Sequence, residues 1–302
     1  MKLRFSEIAP SLGIALFIVI VQILSLLLAT PLINYGMQAF SNPESVWNPI
    51  IYIVLILAFT VALLLIIKYR VKWLIQGFMA LAVLSTLVYV FIGLIALAAP
   101  NVDILVNLAI SGVLSIGLTA ILFLHPEWYI IDISGVLIAT GATAIFGVSL
   151  AIIPTIILLV LLAVYDFISV YKTKHMVKLA EGVMDLKLPI MFVMPRRWGY
   201  KYAQASGKIE PGQEREAYFM GVGDAVMPSM LVVSANAFLK APGIFFVNYP
   251  ALGAAIGTLI SYAFLMYVVA TVKKPQAGLP FLCTGSILGF LIGCLAAGVW
   301  PF

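Results

Sequence analysis

The chain has 302 residues, of which 64% are hydrophobic and only 10% are charged, and its mean hydropathy is +1.15. Because about a quarter of the residues in a soluble globular domain are charged, this composition excludes an ordinary soluble domain. The formal net charge of +5 does not indicate a nucleic-acid partner, since the basic residues lie in loops between apolar segments. The sequence is that of a polytopic membrane protein.

Apolar segments of about 20 residues, long enough to cross a bilayer as helices, occur nine times along the chain. In chain order they are 12–32, 49–67, 73–99, 104–124, 128–147, 150–171, 217–239, 251–272 and 279–299. The first follows the basic start MKLRF, but it is too long for the apolar region of a signal peptide and no A-x-A-like site follows it. The sequence therefore predicts an all-α membrane protein with nine transmembrane helices.

Lysine and arginine residues in the loops predict how these spans are oriented. With the N-terminus in the cytoplasm, sixteen of the seventeen basic residues fall in cytoplasmic segments, and only Lys240 lies outside. Nine of the sixteen lie between the sixth and seventh spans. Eight or ten spans would scatter these charges, so the pattern favours nine spans, a cytoplasmic N-terminus and an external C-terminus.

The cysteines and histidines do not indicate a disulfide or a metal site. Cys283 and Cys294 lie in one predicted helix, about 16 Å apart along its axis, which is too far for a disulfide. His125 and His175 are single loop histidines with no partners at the spacing of metal ligands. We expect neither a metal nor an organic cofactor.

Three aspartates lie inside or near the apolar spans, where a carboxylate is costly unless another group satisfies it. Asp132 lies about one turn into the fifth span, and we interpret it as a structural or interfacial residue. Asp166 lies six residues before Lys172, and Asp224 lies nine residues after Arg215. These spacings place the two acids roughly 9 Å and 13 Å inside the same charged edge. Because the sixth and seventh helices run antiparallel, the two carboxylates meet if those faces pack together.

Two neighbouring carboxylates in a site of low dielectric can hydrolyse a peptide bond. They cannot both ionise cheaply, so one keeps a proton while the other is charged. The charged acid can take a proton from a bound water, and the protonated acid can polarise the carbonyl and then protonate the leaving amine. The sequence does not assign these two roles, because such a pair titrates as a unit.

The residues around the two acids form specific motifs. Asp166 follows Tyr165, and Asp224 closes the sequence GVGD at 221–224. A YD pair in one membrane helix and GxGD in the next resembles the presenilin and signal-peptide-peptidase family of intramembrane aspartyl proteases, in its prokaryotic-type, presenilin-like form. Members of that family have nine transmembrane helices with the catalytic pair on the sixth and seventh, which agrees with the span count.

The resemblance implies roles for the residues that match these motifs. Asp166 and Asp224 would be the catalytic pair. The residues that would shape the site around them are Tyr165, Gly221, Val222 and Gly223. Small residues also allow helices to pack closely. We expect the glycines to have both roles, shaping the site and packing the helices. The resemblance further implies a peptidase of a multi-pass cell membrane that acts on transmembrane peptides or proteins in the lipid bilayer, with homo-oligomerisation left open.

The third motif of the family, Pro-Ala-Leu at the start of the ninth helix, has two candidate positions. A literal PAL at 250–252 begins the eighth span, on the outer side of the membrane. The ninth span begins about 53 residues after the GVGD motif, at the cytoplasmic edge, and this spacing resembles that of the family. We therefore carry the substrate-binding role to the ninth span, although Ala replaces Pro and Gly replaces Ala. The residues concerned are Ala277, Gly278, Leu279 and Pro280.

A polar segment of about 45 residues, 172–216, separates the sixth and seventh spans and contains the apolar piece LPIMFVMP at 188–195. That piece is too short to cross the membrane and is rich in residues that favour strands. In the family, strands from this loop pair with unwound substrate. We expect either an edge strand that captures extended substrate by backbone hydrogen bonds or an interfacial loop segment. Self-cleavage of the loop, which presenilin undergoes, stays open.

Two other functions use similar residues. A proton- or cation-coupled transporter or channel would use the same carboxylates, but nine spans do not divide into equal inverted repeats. A prepilin-type peptidase also carries GxGD, usually with a lysine three residues later, whereas this chain continues GVGDAVM.

Since the resemblance covers mainly residues 150–300, we divide the chain into an N-terminal part with helices one to five, 1–149, and a catalytic part with helices six to nine, 150–302.

Overall fold

The computed structural model describes residues 5–68, 72–173, 191–196, 199–200, 217–272 and 276–300. Nine α-helices lie within these residues. They are α1 (Phe5–Asn34), α2 (Trp47–Lys68), α3 (Lys72–Ala98), α4 (Ile104–Leu124), α5 (Trp128–Ser149), α6 (Ile152–Ile168), α7 (Val222–Phe238), α8 (Tyr249–Val272) and α9 (Gly278–Ala297). Seven are long and apolar enough to cross a membrane, and α2 and α7 contain the shorter apolar stretches Trp47–Ala62 and Val222–Phe238. The predicted all-α membrane protein with nine helices is confirmed.

Polar and glycine residues set several of the helix ends. The Asp103 carboxylate accepts a hydrogen bond of 2.8 Å from the Leu105 amide at the start of α4, which satisfies a donor that has no partner within the helix. Gly298 ends α9 with φ +65°, a left-handed conformation that favours glycine. The sixth helix ends at Ile168 and continues as a π-helical turn, Ser169–Thr173, which accounts for the longer predicted span.

Two short antiparallel ribbons accompany the helices. Strand β1 (Met191–Pro195) pairs with β2 (Ala217–Gly221), and β3 (Gly243–Ile244) pairs with β4 (Val247–Asn248). Of the two alternatives expected for the apolar piece at 188–195, an edge strand or an interfacial loop, residues 191–195 form a strand, β1. The remainder of the predicted 172–216 loop, with the question of its self-cleavage, lies mostly outside the described residues.

The predicted start of the seventh helix at residue 217 is wrong. Its first five residues, AYFMG, form β2, and the helix begins at Val222. A short apolar run does not by itself distinguish strand from helix, and here Tyr218 and Phe219 favour a strand that β1 is available to pair with. One consequence is that Asp224 lies in the first turn of α7.

Helix α7 is the centre of the bundle. It packs against α1, α5, α6, α8 and α9, and its middle residues, including Met230, Leu231 and Val233, are fully buried. By contrast α4 packs mainly on α3 and exposes large apolar side chains such as Leu105 and Val113, as expected for a helix that faces lipid. The helix that carries GVGD is therefore enclosed by protein.

Helices α8 and α9 approach each other until their backbones touch. A Cβ atom added to Gly257 would overlap the Gly285 carbonyl oxygen, and one added to Gly289 would overlap that of Gly253. Without a hydrophobic driving force between helices in lipid, such stripes of small residues allow close van der Waals packing. The contact between α8 and α9 fixes the position of α9, and with it the site described next.

Candidate active site

Asp166 is buried near the C-terminal end of α6 and contacts the N-terminus of α9. The Leu279 amide donates a hydrogen bond to Asp166 Oδ2 at 3.2 Å, and the Gly278 backbone is close enough to this carboxylate to interact with it electrostatically. Gly278 and Leu279 are the first two residues of α9, so their amides have no partners within the helix. These amides and the helix dipole stabilise negative charge at Asp166.

Asp224 is partly exposed and lies between two glycines. A Cβ atom on Gly278 would lie 3.1 Å from Asp224 Oδ2, and one on Gly221 would lie 3.4 Å from the same oxygen. Because both positions lack a side chain, the backbone of α9 and the end of β2 lie directly against this carboxylate.

The two predicted acids meet at Gly278. Asp166 interacts with the backbone of Gly278 and accepts from the next amide, that of Leu279. Asp224 lies beside Gly278, and the two carboxylates are close enough to interact electrostatically. Cys283, about one turn further along α9, lies within electrostatic reach of both. Three helices, α6, α7 and α9, therefore converge on one pair of carboxylates.

The remaining motif residues surround this pair in different ways. Val222 is buried, and its side chain would be 3.6 Å from a Cβ on Gly135 of α5. Gly223 is exposed, and a Cβ added there would meet none of the described residues within 4 Å. Tyr165 is half-buried beside Asp166 in the sequence. Open space thus adjoins the GVGD motif on the Gly223 side.

The segment predicted to play the part of the Pro-Ala-Leu motif starts α9 beside the aspartates. Ala277 is the buried N-cap residue, followed by Gly278 and Leu279, whose contacts are given above. Pro280 lies in the first turn, where its missing amide hydrogen leaves no helical bond unmade, and its carbonyl accepts a hydrogen bond of 2.6 Å from Thr284.

The literal PAL lies at the other end of the bundle. A Cβ atom on Gly293 would meet the backbone of Tyr249 and Pro250, and Gly293 follows Gly278 by fifteen residues, or about 22 Å of helix. At this end Asn248 accepts a hydrogen bond of 2.9 Å from the Ala251 amide and donates to the Ala235 carbonyl at 2.8 Å. The literal motif therefore connects α7 to α8, and its distance from the aspartates supports the assignment to α9.

Asp132 is the third predicted aspartate and does not join this group of contacts. It is buried on α5, and its Oδ1 accepts a hydrogen bond of 2.7 Å from the Val193 amide of β1. Its environment is therefore the protein interior rather than the membrane interface. The sequence gives no signal for this contact, because its two partners are 61 residues apart. Within the described ranges, no three His, Cys, Asp or Glu side chains are grouped to hold a metal ion.

Comparisons with known proteins agree with this arrangement. Residues 14–299 match the family model described as signal-peptide peptidase, presenilin aspartyl protease. A presenilin family intramembrane aspartate protease solved in a C222 space group is 39% identical, with a TM-score of 0.72, over 95% of this chain and 100% of that chain. A second such structure, in a P2 space group, is 40% identical with a TM-score of 0.69, over 95% of this chain and 98% of that chain.

A comparison with curated protein sequences gives no significant match. The family model covers nearly the whole chain. The two solved structures are 39% and 40% identical to it in sequence and share its fold over nearly their full length. The chain belongs to the signal-peptide peptidase and presenilin family of intramembrane aspartyl proteases.

Proposed function

We propose that Asp166 and Asp224 are the catalytic pair of this intramembrane aspartyl protease, and that they hydrolyse peptide bonds of transmembrane substrates. The observation that carries the proposal is their convergence on the start of α9, where the Leu279 amide donates to Asp166 and Gly278 lies against Asp224. Asp132 is a weaker candidate, since its carboxylate contacts Val193 of β1, whereas Asp166 and Asp224 both lie against the start of α9.

The chemistry follows from this geometry. One acid of the pair is charged and takes a proton from the attacking water, while the other is protonated and gives its proton to the substrate carbonyl oxygen. The first acid then passes the proton from water to the leaving amine as the C–N bond breaks, and the second recovers its proton from the diol hydroxyl, which returns the pair to its starting state. The amides at the start of α9 stabilise negative charge on the pair without any movement during the reaction. The start of α9 is held in place beside the substrate by four residues, Ala277, Gly278, Leu279 and Pro280.

Water and substrate reach the pair from the side of Gly223. That residue is exposed and has open space beside it, and Asp224 is partly exposed. A transmembrane helix has its backbone groups bonded internally, so the bond to be cleaved must first lie in a locally extended segment. A position without a side chain beside Asp224 allows that segment to approach closely.

The free edge of β2 is the surface that we propose holds the extended substrate. Because the Val193 amide points to Asp132, Val193 and its partner Phe219 form a non-hydrogen-bonded pair of the antiparallel ribbon. Phe219 therefore directs its own backbone groups away from β1, as do Ala217 and Gly221. Among the described residues no strand pairs with this edge, and it leads directly to Asp224 three residues after Gly221. Backbone pairing with substrate is the role that the family resemblance implies.

The protein is an integral membrane protein, and its substrates are embedded in the bilayer. We place it in a cell membrane and assign the catalytic residues to 150–302, with α1 and α5 of the N-terminal part packed against α7 as its support. Both aspartates belong to one chain, so the pair is complete in a monomer and needs no homo-oligomer.

Hydrolysis in isotopically labelled water tests the proposal. Purified protein in liposomes is incubated with a transmembrane peptide in H₂¹⁸O, and the products are read by mass spectrometry. We expect one ¹⁸O atom in each new carboxyl end, and no products from Asp166→Ala or Asp224→Ala. Cleavage that survives either substitution would rule out this catalytic pair.

Substitution of Gly278 tests the close contact between α9 and Asp224. A Cβ at this position would lie 3.1 Å from Asp224 Oδ2, so alanine requires a shift of a few tenths of an ångström and valine a larger one. We expect Gly278→Ala to lower kcat about threefold to tenfold and Gly278→Val about a hundredfold or more, since small displacements of catalytic groups are costly. Initial-rate kinetics measures both values. Gly117→Ala is the control, because a Cβ there meets no atom within 4 Å in the described part of the chain, and equal rates for all three variants would contradict the close contact.

A further inference from the structure

Strand β1 is bound on both of its edges, and a side chain supplies the second contact. One edge pairs with β2, while on the other the Val193 amide donates to Asp132 Oδ1 at 2.7 Å. Both Val193 and Asp132 are buried. Asp132 therefore occupies the place that a further strand would take, and it leaves the outer edge of β2 as the open edge of the ribbon among the described residues.

The ribbon also makes apolar contacts with the helices. The Phe192 ring is fully buried and lies 5.3 Å, centroid to centroid, from Phe17 of α1. A Cβ on Gly135, one turn after Asp132 on α5, would lie 3.2 Å from the same ring. Apolar contacts are non-directional, whereas a hydrogen bond requires one donor at one position. The Asp132 bond is thus a directional contact that favours one residue of β1, Val193, against α5.

The position of β1 is transmitted to the catalytic pair through β2. The register places Val193 opposite Phe219 and Met191 opposite Gly221, and Gly221 lies directly against the Asp224 carboxylate. Helix α5, which carries Asp132, packs against α7, which carries Asp224. One rigid pair of helices therefore holds both the ribbon and the aspartate that the ribbon approaches.

We propose that Asp132 is a positioning residue that closes the inner edge of β1 and fixes the register of the ribbon, so that substrate pairs with β2 in a single register before the catalytic pair. This proposal rests on the substrate-binding role proposed above for β2. A slip of the ribbon that preserves its hydrogen-bonding faces moves it by two residues. Without Asp132, the bond presented to the pair would then change by the same step.

The structure also predicts which substitution is tolerated. Asp132 Oδ2 is buried and has no hydrogen-bond partner within the described residues, so the contact uses one acceptor oxygen only. Asparagine keeps that acceptor, while leucine keeps the approximate volume and removes it. Asn and Leu variants at residue 132 therefore separate the hydrogen bond from the packing.

The test measures where and how efficiently one transmembrane peptide is cut. For Asp132→Leu we expect KM to rise roughly tenfold, since a buried donor loses its acceptor, with kcat changed by less than about threefold. Mass spectrometry should show new products displaced by two residues, and hydrogen exchange of residues 191–195 should become faster. Asp132→Asn should keep the product pattern and the KM of the wild type. If the leucine variant is not recovered folded, Asp132→Ala takes its place.

A matched control lies on the same helix. Thr143 is buried about three turns further along α5, and its hydroxyl has no hydrogen-bond partner within the described parts of the chain, so Thr143→Val should leave KM and products unchanged. An unaltered product pattern and KM for Asp132→Leu would overturn the positioning role. Loss of all activity in Asp132→Asn would overturn it as well and would make Asp132 catalytic. Failure of the Asp166 and Asp224 pair would instead be visible as cleavage by Asp224→Ala, so the two proposals fail in different ways.

Discussion

Asp166→Asn and Asp224→Asn are each expected to lower the rate of peptide hydrolysis by about 10⁴-fold or more. An amide can neither take a proton from water nor keep one for the leaving amine, so either substitution removes one half of the proton transfer. Asparagine matches aspartate in size and preserves the packing against Gly278 and the Leu279 hydrogen bond. Single-turnover kinetics with a transmembrane peptide measures the loss, and thermal unfolding in the same detergent verifies the fold.

The effects of the two substitutions on the rate of hydrolysis are also expected not to be additive. If the proposed pair works as one unit, the double variant should be no slower than the slower single variant. Asp103→Asn is the matched control, since this aspartate caps α4 away from the pair and asparagine caps a helix equally well. A multiplicative loss in the double variant, or a residual rate above about 1% in either single variant, would contradict a shared catalytic unit.

Gly257→Leu and Gly289→Leu are expected to lower the free energy of unfolding by about 3 kcal/mol or more each and to abolish cleavage. Each glycine faces a backbone carbonyl across the interface between α8 and α9, so a side chain separates two helices rather than displacing a flexible neighbour. Activity is lost with stability, because the N-terminus of α9 donates to Asp166. Unfolding in a mixed detergent and residual proteolysis provide the two measurements.

Gly117→Leu is the control for these substitutions. It adds the same side chain to a membrane helix, α4, at a position where a Cβ meets no described residue within 4 Å. We expect its stability and its rate to match those of the wild type. A Gly257 or Gly289 variant that behaves like this control would show that the close packing of α8 and α9 is not required.

The sequence by itself determined the number of helices and the identity of the family. A bilayer requires about 20 apolar residues per span and confines basic residues to the loops, so composition along the chain fixes the topology without knowledge of any contact. The YD and GVGD motifs at Asp166 and Asp224 are local patterns on consecutive antiparallel spans, and their approach follows from that topology. The same reasoning separated the α9 start at Ala277 from the literal PAL at 250–252, since the two lie at opposite ends of the bundle.

Only the tertiary structure decided the features that depend on distant partners. Residues 217–221 are apolar enough for either helix or strand, and pairing with β1 makes them β2. The role of Asp132 depends on Val193, 61 residues away, and no local periodicity reports such a contact. Gly278 touches both aspartates because α6, α7 and α9 converge there. Hydrophobic length is a property of each segment, whereas a hydrogen bond or a close backbone approach exists only after the segments have packed.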